Sequence, residues 1–232
     1  MPAALIIGAR NLGFAIVQRL LADGWSVAAG ARSADTLEKV EQVGAMALEV
    51  DVTDPDSVLG ALRAVSGRHG RVDLAVNAAS PYGGSSGGPF GGGPLAEARP
   101  EGFEDWAVLP ARGAFGFLSA SARFLAGQGG PATVVQVTGG SARRGRAGRG
   151  LWAAGAFSVR ALTQAAALEL REHQIHVALL IVDAVIDRSG NGDARSADPD
   201  SLAGAVAYLA AQSPRAMTHE LQLTPALDNW TP

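Results

Sequence analysis

A single doubly wound α/β domain is the fold class this sequence predicts, on three observations. Short β-branched or apolar runs alternate with amphipathic or alanine-rich segments from end to end, as in a mostly parallel sheet covered by helices on both faces. The chain opens Leu5-Ile6-Ile7-Gly8-Ala9-Arg10-Asn11-Leu12-Gly13-Phe14, which reads as strand, tight turn and helix. Its 232 residues fill one complete core and demand no second domain, so residues 1–232 form one unit.

Taken in order, the apolar run at 3–7 predicts the first strand, and residues 13–22, apolar at helical spacing, the first helix. Ser26-Val27-Ala28-Ala29-Gly30 gives a second strand, and 35–43, charged around Leu37 and Val40, a second helix. Residues 46–50 read as a third strand, and Pro55 suits the opening of a helix over 55–66. After a strand over Leu74–Asn77, residues 80–94 are dominated by glycine, serine and proline, predicting a flexible loop that serves as a lid. A helix over 103–125 leads to a β-branched strand over 133–137 and an arginine-rich loop over 141–150. An alanine-rich helix over 151–172, a strand over 177–182, a helix over 199–211 and a strand over 220–223 complete the pattern. Right-handed crossovers between about seven strands then place a ligand crevice at their carboxyl ends.

Composition narrows the function. With 19 basic and 22 acidic residues the formal charge is −3, which offers no general attraction to nucleic acid or anionic membrane, so a small molecule is the expected partner. The absence of cysteine excludes disulfides, thiolate nucleophiles and cysteine metal sites. No leader precedes the first strand and no apolar run approaches a membrane span, giving a cytoplasmic expectation. Lys39 is the only lysine, and it lies in the second helix.

The glycine turn, with the helix that follows it, is the context a dinucleotide loop requires: glycines let backbone amides approach a pyrophosphate, which the helix N-terminus stabilises. This loop resembles the Thr-Gly-x-x-x-Gly-x-Gly loop of the short-chain dehydrogenase/reductase family, whose fold is of the Rossmann type. Gly8 and Gly13 match its first and last glycines, with the loop one residue short and Asn11 in the middle glycine's place. Asparagine tolerates left-handed backbone angles, so the turn is expected to survive. The resemblance implies a cofactor site of Gly8, Arg10, Asn11, Leu12, Gly13, Arg32, Asp51, Val52, Asn77, Ala78 and Ala79. Arg32, where relatives preferring NADP carry arginine, and Arg10 in the loop imply NADP(H). Asp51-Val52 resembles the adenine contact, and Asn77-Ala78-Ala79-Ser80 stands for Asn-Asn-Ala-Gly. A turn or N-cap role is the structural alternative for Asp51, and strand-end capping for Asn77.

The reaction end departs from the family. Leu151-Trp152-Ala153-Ala154-Gly155-Ala156 resembles the helix bearing the catalytic Tyr-x-x-x-Lys pair, a spacing that puts proton donor and cation on one helical face. Trp152 holds the tyrosine's place and Ala156 the lysine's. Thirteen residues before Trp152, the serine's place holds Gly139, and seven after Trp106 the asparagine's holds Gly113. The family's Pro-Gly after the sixth strand is Val182-Asp183, and Ile175-His176-Val177-Ala178 with Thr218-His219-Glu220-Leu221 resembles a branch that lacks the tyrosine but keeps the lysine.

Three readings follow: a divergent oxidoreductase acting on an activated small molecule such as an electron-poor alkene or quinone; a non-redox cyclase, isomerase or dehydratase using the old crevice; and a non-catalytic ligand-binding protein in which Trp152 plugs the site. Weak catalytic candidates are Tyr82, Ser141 and the loop arginines Arg143, Arg144 and Arg146, which suit anion capture or oxyanion stabilisation. His173 and His176 are three apart, but no carboxylate or cysteine completes a ligand set, so no metal site is expected. Small residues Ala161, Ala165, Ala166 and Ala167 suit close helix packing, and the resemblance implies a homodimer or homotetramer.

Overall fold

The expected strands assemble into one sheet in the order β3-β2-β1-β4-β5-β6-β7, and every pairing within it is parallel. Residues 1–81, 88–188 and 190–228 are described by the computed structural model. The strands are β1 (Ala3–Ile7), β2 (Ser26–Ala31), β3 (Met46–Glu49), β4 (Leu74–Asn77), β5 (Ala132–Gly139), β6 (Ile175–Val182) and β7 (Glu220–Leu223). Between them run α1 (Leu12–Ala22), α2 (Ala34–Gln42), α3 (Pro55–His69), α4 (Pro100–Phe103), α5 (Leu109–Gln128), α6 (Gly150–Glu169) and α7 (Pro199–Ala210).

Strand alternation builds two cores. Leu5 and Ile7 point to one face, where Val58 and Leu62 of α3, Phe117 and Leu125 of α5 and Ala166 of α6 cover them. Ala4 and Ile6 point to the other, under Ile16 and Leu20 of α1, Val40 of α2 and Val206 and Leu209 of α7. Burying both sheet faces explains why the strands are apolar at nearly every position. Because β1 lies between β2 and β4, the strand order reverses beside it, which opens the crevice at Gly8 and Asn77.

Three expectations change in detail. The helix expected over 103–125 is a run of α4, a π-turn over Glu104–Val108 and α5, the π-turn carrying Trp106. Asn11 has φ −128°, so the shortened turn does not use its left-handed tolerance; Gly8, at φ 93°, supplies the positive angle. Residues 88–94 of the expected lid are docked on α6: Phe90–Gly92 forms a 3₁₀ turn, and Gly93 bridges to Arg149. Glycine serves close approach here, since a Cβ on Gly92 would lie 2.6 Å from Leu151 Cδ1. Among the described residues no helix is long and apolar enough to cross a membrane.

Candidate active site

The turn after β1 is tightly built. A Cβ on Gly8 would sit 2.3 Å from the Ala79 nitrogen, and one on Gly13 would sit 2.4 Å from the Gly8 oxygen. Both glycines therefore allow the β1 turn, the start of α1 and the Asn77-Ala78-Ala79 turn to converge. Leu12 is buried, Arg10 exposed and Asn11 half-buried, and the Asn11 side chain makes no cap to α1. Asn77, fully buried, donates through Nδ2 to Gln136 Oε1 (3.0 Å) and accepts from the Ala79 N–H (3.0 Å). It shapes the turn through its side chain, and Ala78 N–H continues the β1 pairing by donating to the Ile7 carbonyl (2.8 Å).

Arg32 is exposed immediately after β2. Asp51 accepts from the Thr53 N–H (2.9 Å) and hydroxyl (2.7 Å), while Asp54 caps α3. Burial raises the Asp51 pKa, but the two Thr53 hydrogen bonds and the charge of Arg32 outweigh it and hold the carboxyl below its ordinary range. Asp51 and Arg32 thus share one electrostatic environment. Val52 is buried beneath α5: a Cβ on Gly116 would lie 2.2 Å from its carbonyl oxygen.

At the reaction end, position 139 adjoins position 152 in space, because a Cβ on Gly139 would lie 3.7 Å from both Cζ2 and Nε1 of Trp152. Ala156 is buried one helical turn further on. Gly113 faces Pro81, whose Cγ would be 2.6 Å from a Cβ there. Three rings fill the space above: Phe90 and Trp106 at 4.9 Å, Phe90 and Trp152 at 5.5 Å, and Trp106 and Trp152 at 5.8 Å between centroids. Edge-to-face contacts of this kind stabilise a cluster beyond the area it buries. Gly155 makes the cluster possible, since a Cβ there would come within 2.5 Å of the Trp106 carbonyl oxygen.

Beside the rings, the Asp183 carboxylate takes the space that a side chain on residue 140 would occupy; a Cβ on Gly140 would lie 1.8 Å from Asp183 Oδ1. Arg144 pairs with Asp183 Oδ2 at 3.0 Å, Arg146 with Oδ1 at 3.6 Å, and Gln222 Nε2 donates to Oδ2 at 3.2 Å. Asp183 was visible in the sequence only as a departure from Pro-Gly; its pairing with the arginine loop was not. Arg143 is exposed and its charge acts on Glu220; Ser141 is buried in the 3₁₀ turn Gly140–Ala142. Tyr82 lies outside the described residues.

The histidine motifs form a reciprocal clasp. His176 Nε2 donates to the Thr218 carbonyl (2.9 Å) and His219 Nδ1 to the Val177 carbonyl (3.3 Å), with the rings edge to face at 6.0 Å. Arg160 holds both Glu220 oxygens (2.7 and 2.8 Å), fastening β7 to α6. That bidentate pair, opposed by burial and helped by Gln164, lowers the Glu220 pKa. His173 is exposed at the chain's turn into β6, apart from this clasp.

The sheet order and the glycine turn at its switch point define an α/β protein of the dinucleotide-binding architecture. Residues 2–188 match the short chain dehydrogenase family, and the chain belongs to it. It is 28% identical over 204 residues to a sorbitol dehydrogenase of Cereibacter sphaeroides, an alignment covering 86% of this chain and 77% of the relative. An alcohol dehydrogenase from the archaeon Thermococcus sibiricus, solved with 5-hydroxy-NADP, superposes with a TM-score of 0.83 at 26% identity, covering 100% of this chain and 99% of the other. A metagenomic short-chain oxidoreductase in complex with NADP gives 0.77 at 25% identity, with 98% of each chain covered.

Proposed function

We propose that this protein is an NADP(H)-binding oxidoreductase that has left general-acid-assisted carbonyl reduction and acts on a small conjugated acceptor, of the quinone or electron-poor alkene class. One observation carries the reading: Gly139 and Trp152, which the resemblance assigns to the serine and tyrosine places, lie side by side. A ketone receiving a hydride becomes an alkoxide that needs a proton and hydrogen-bond donors at that point. Trp152 offers only a neutral indole N–H, and Ala156 and Gly139 offer nothing. A conjugated acceptor delocalises the added electron pair and takes its proton from water.

The backbone amides between Gly8 and Gly13 would hold the pyrophosphate, Asp51 and Val52 the adenine end, and Arg32 with Arg10 the 2′-phosphate. When bound, the cofactor supplies the hydride. The chain's own contribution at the other end is an apolar face of Phe90, Trp106 and Trp152 against which a flat acceptor is oriented and water reduced in number. A second reading is favoured by the mutual packing of those rings: the cluster closes the old site and the protein binds a ligand without turning it over.

The test is NADPH oxidation by the unmodified protein with a simple ketone and with a neutral benzoquinone. Ketone turnover is expected to be negligible, since general acid catalysis alone is worth about 100- to 10,000-fold, and quinone turnover measurable. Ketone reduction at an ordinary dehydrogenase rate overturns the proposal. Cofactor binding with no turnover of either acceptor selects the second reading.

A further inference from the structure

The arginine loop is held in place by an anion of the chain itself, and it brings more positive charge to the aromatic cluster than that anion neutralises. Asp183 is the shared partner of Arg144 and Arg146, yet the two contacts are unequal: Arg144 is 18% exposed at 3.0 Å, Arg146 is 41% exposed at 3.6 Å. Arg144 fixes the loop, and Arg146 is the more exposed and more loosely held of the two. Residues Arg146-Ala147-Gly148-Arg149 then form a tight turn, with the Arg149 N–H donating to the Arg146 carbonyl (3.0 Å) and Gly148 at φ 71°. Such a turn brings its first and fourth α-carbons within about 7 Å. Arg149 reaches over the Phe90 ring at 5.3 Å, and Phe90 in turn packs on Trp152. Phe90 remains half exposed, and the first turn of α6 carries no acidic residue. A chain of net charge −3 thus presents the Arg149 guanidinium over an exposed ring, with the part-exposed Arg146 at the start of the same turn.

We infer that Arg146 and Arg149 recognise the carboxylate of a small, flat conjugated acid, such as a carboxylated quinone, whose ring lies against Phe90 and Trp152. This names a substrate class for the site and rests on the reading above that a flat conjugated molecule is oriented there. Guanidinium groups bind planar carboxylates through paired, charge-assisted hydrogen bonds, and Asp183 is the internal example of that chemistry in the same loop. Asp183 acts as a positioning residue, setting the loop through Arg144. Gly140 is part of the arrangement, because any side chain there would displace the carboxylate.

Calorimetry without cofactor tests the inference with 2-naphthoate and its neutral isostere 2-naphthamide. At low salt naphthoate should bind about tenfold or more tightly than the amide, the order expected for charge-assisted contacts. In the double variant Arg146→Gln/Arg149→Gln that advantage should vanish while the amide's affinity holds; an unchanged melting temperature verifies the fold. Equal binding of the two probes, survival of the advantage in the double variant, or no binding of either overturns the inference. A neutral benzoquinone carries no carboxylate for the arginines, so its turnover by the unmodified protein reports on the oxidoreductase reading separately.

Discussion

Glycines 113, 116, 139, 140 and 155 each stand where a Cβ would meet a neighbour: Pro81, the Val52 carbonyl, the Trp152 ring, the Asp183 carboxylate and the Trp106 carbonyl occupy the space beside them. A helix fixes spacing, so the places of Trp152 and Ala156 against the family's helix could be read from their neighbours. The packing beside these glycines was not legible, because Asp183 and Gly140 are 43 residues apart in sequence and meet only through the pairing of β5 and β6. At the cofactor end the residue reading named Arg32, whose charge the structure brings to bear on Asp51. Arg32→Ala is expected to weaken NADPH binding about 10- to 100-fold, one charge-assisted phosphate contact, with NADH affinity little changed. Calorimetry with both nucleotides checks this, and equal affinity of the unmodified protein for the two would remove the argument. The substitution also withdraws a positive charge from Asp51, so the Asp51 carboxyl should titrate at a higher pH in the variant, measurable by NMR.

Elements were read well where an apolar run is unbroken, as in β1, and less well where backbone geometry departs from simple periods. The π-turn at Glu104–Val108 has no sequence signature of its own, since an i→i+5 bond depends on what the helix packs against, here α6 through Gly155. The histidines of β6 and the residue preceding β7 were seen as motif members, but their clasp needs the parallel pairing Leu179↔Glu220 to bring them together. Burial lowers the His176 pKa, and the His219 charge adds to this, against the carbonyls of Thr218 and Leu209. Its depressed folded-state value means that the unfolded chain takes up the proton first as pH falls. Stability from this group is therefore complete above the unfolded value, about 6.5, and is lost progressively as pH drops toward the lower folded value. Between pH 7.5 and 5.5 the melting temperature should fall, and His176→Gln, which keeps a donor for Thr218, should flatten that dependence. An equal slope in the variant would show that the clasp does not carry it. Asp51 and Glu220, whose pKa values are lowered, contribute below this window.

At the scale of the molecule, the doubly wound parallel sheet followed from alternation and right-handed crossovers, but which helix faces remain uncovered did not. The alanines of α6 divide: Ala166 and Ala167 are buried against the sheet, whereas Ala161 and Ala165 are exposed. With Ala154, Phe157 (43% exposed) and Leu168 (69% exposed) they form an apolar stripe at helical spacing along the outer face of α6. Phe115 on the adjoining α5 is half exposed as well. A stripe of that kind marks an interface better than scattered surface leucines do, and small residues within it let a second helix approach closely. We propose that a second copy of the chain covers it, giving a homodimer or homotetramer. Light scattering at micromolar concentration should then show a mass at least twice the 23.6 kDa of one chain. Replacing Phe157 and Leu168 together by glutamate should shift the population to monomer, because each added carboxylate would be desolvated against its own symmetry mate. None of the residues proposed to hold the cofactor lies on α6, so NADPH affinity is expected to persist in the monomer. Monomer alone in the unmodified protein would leave the stripe without a second copy and overturn the proposal.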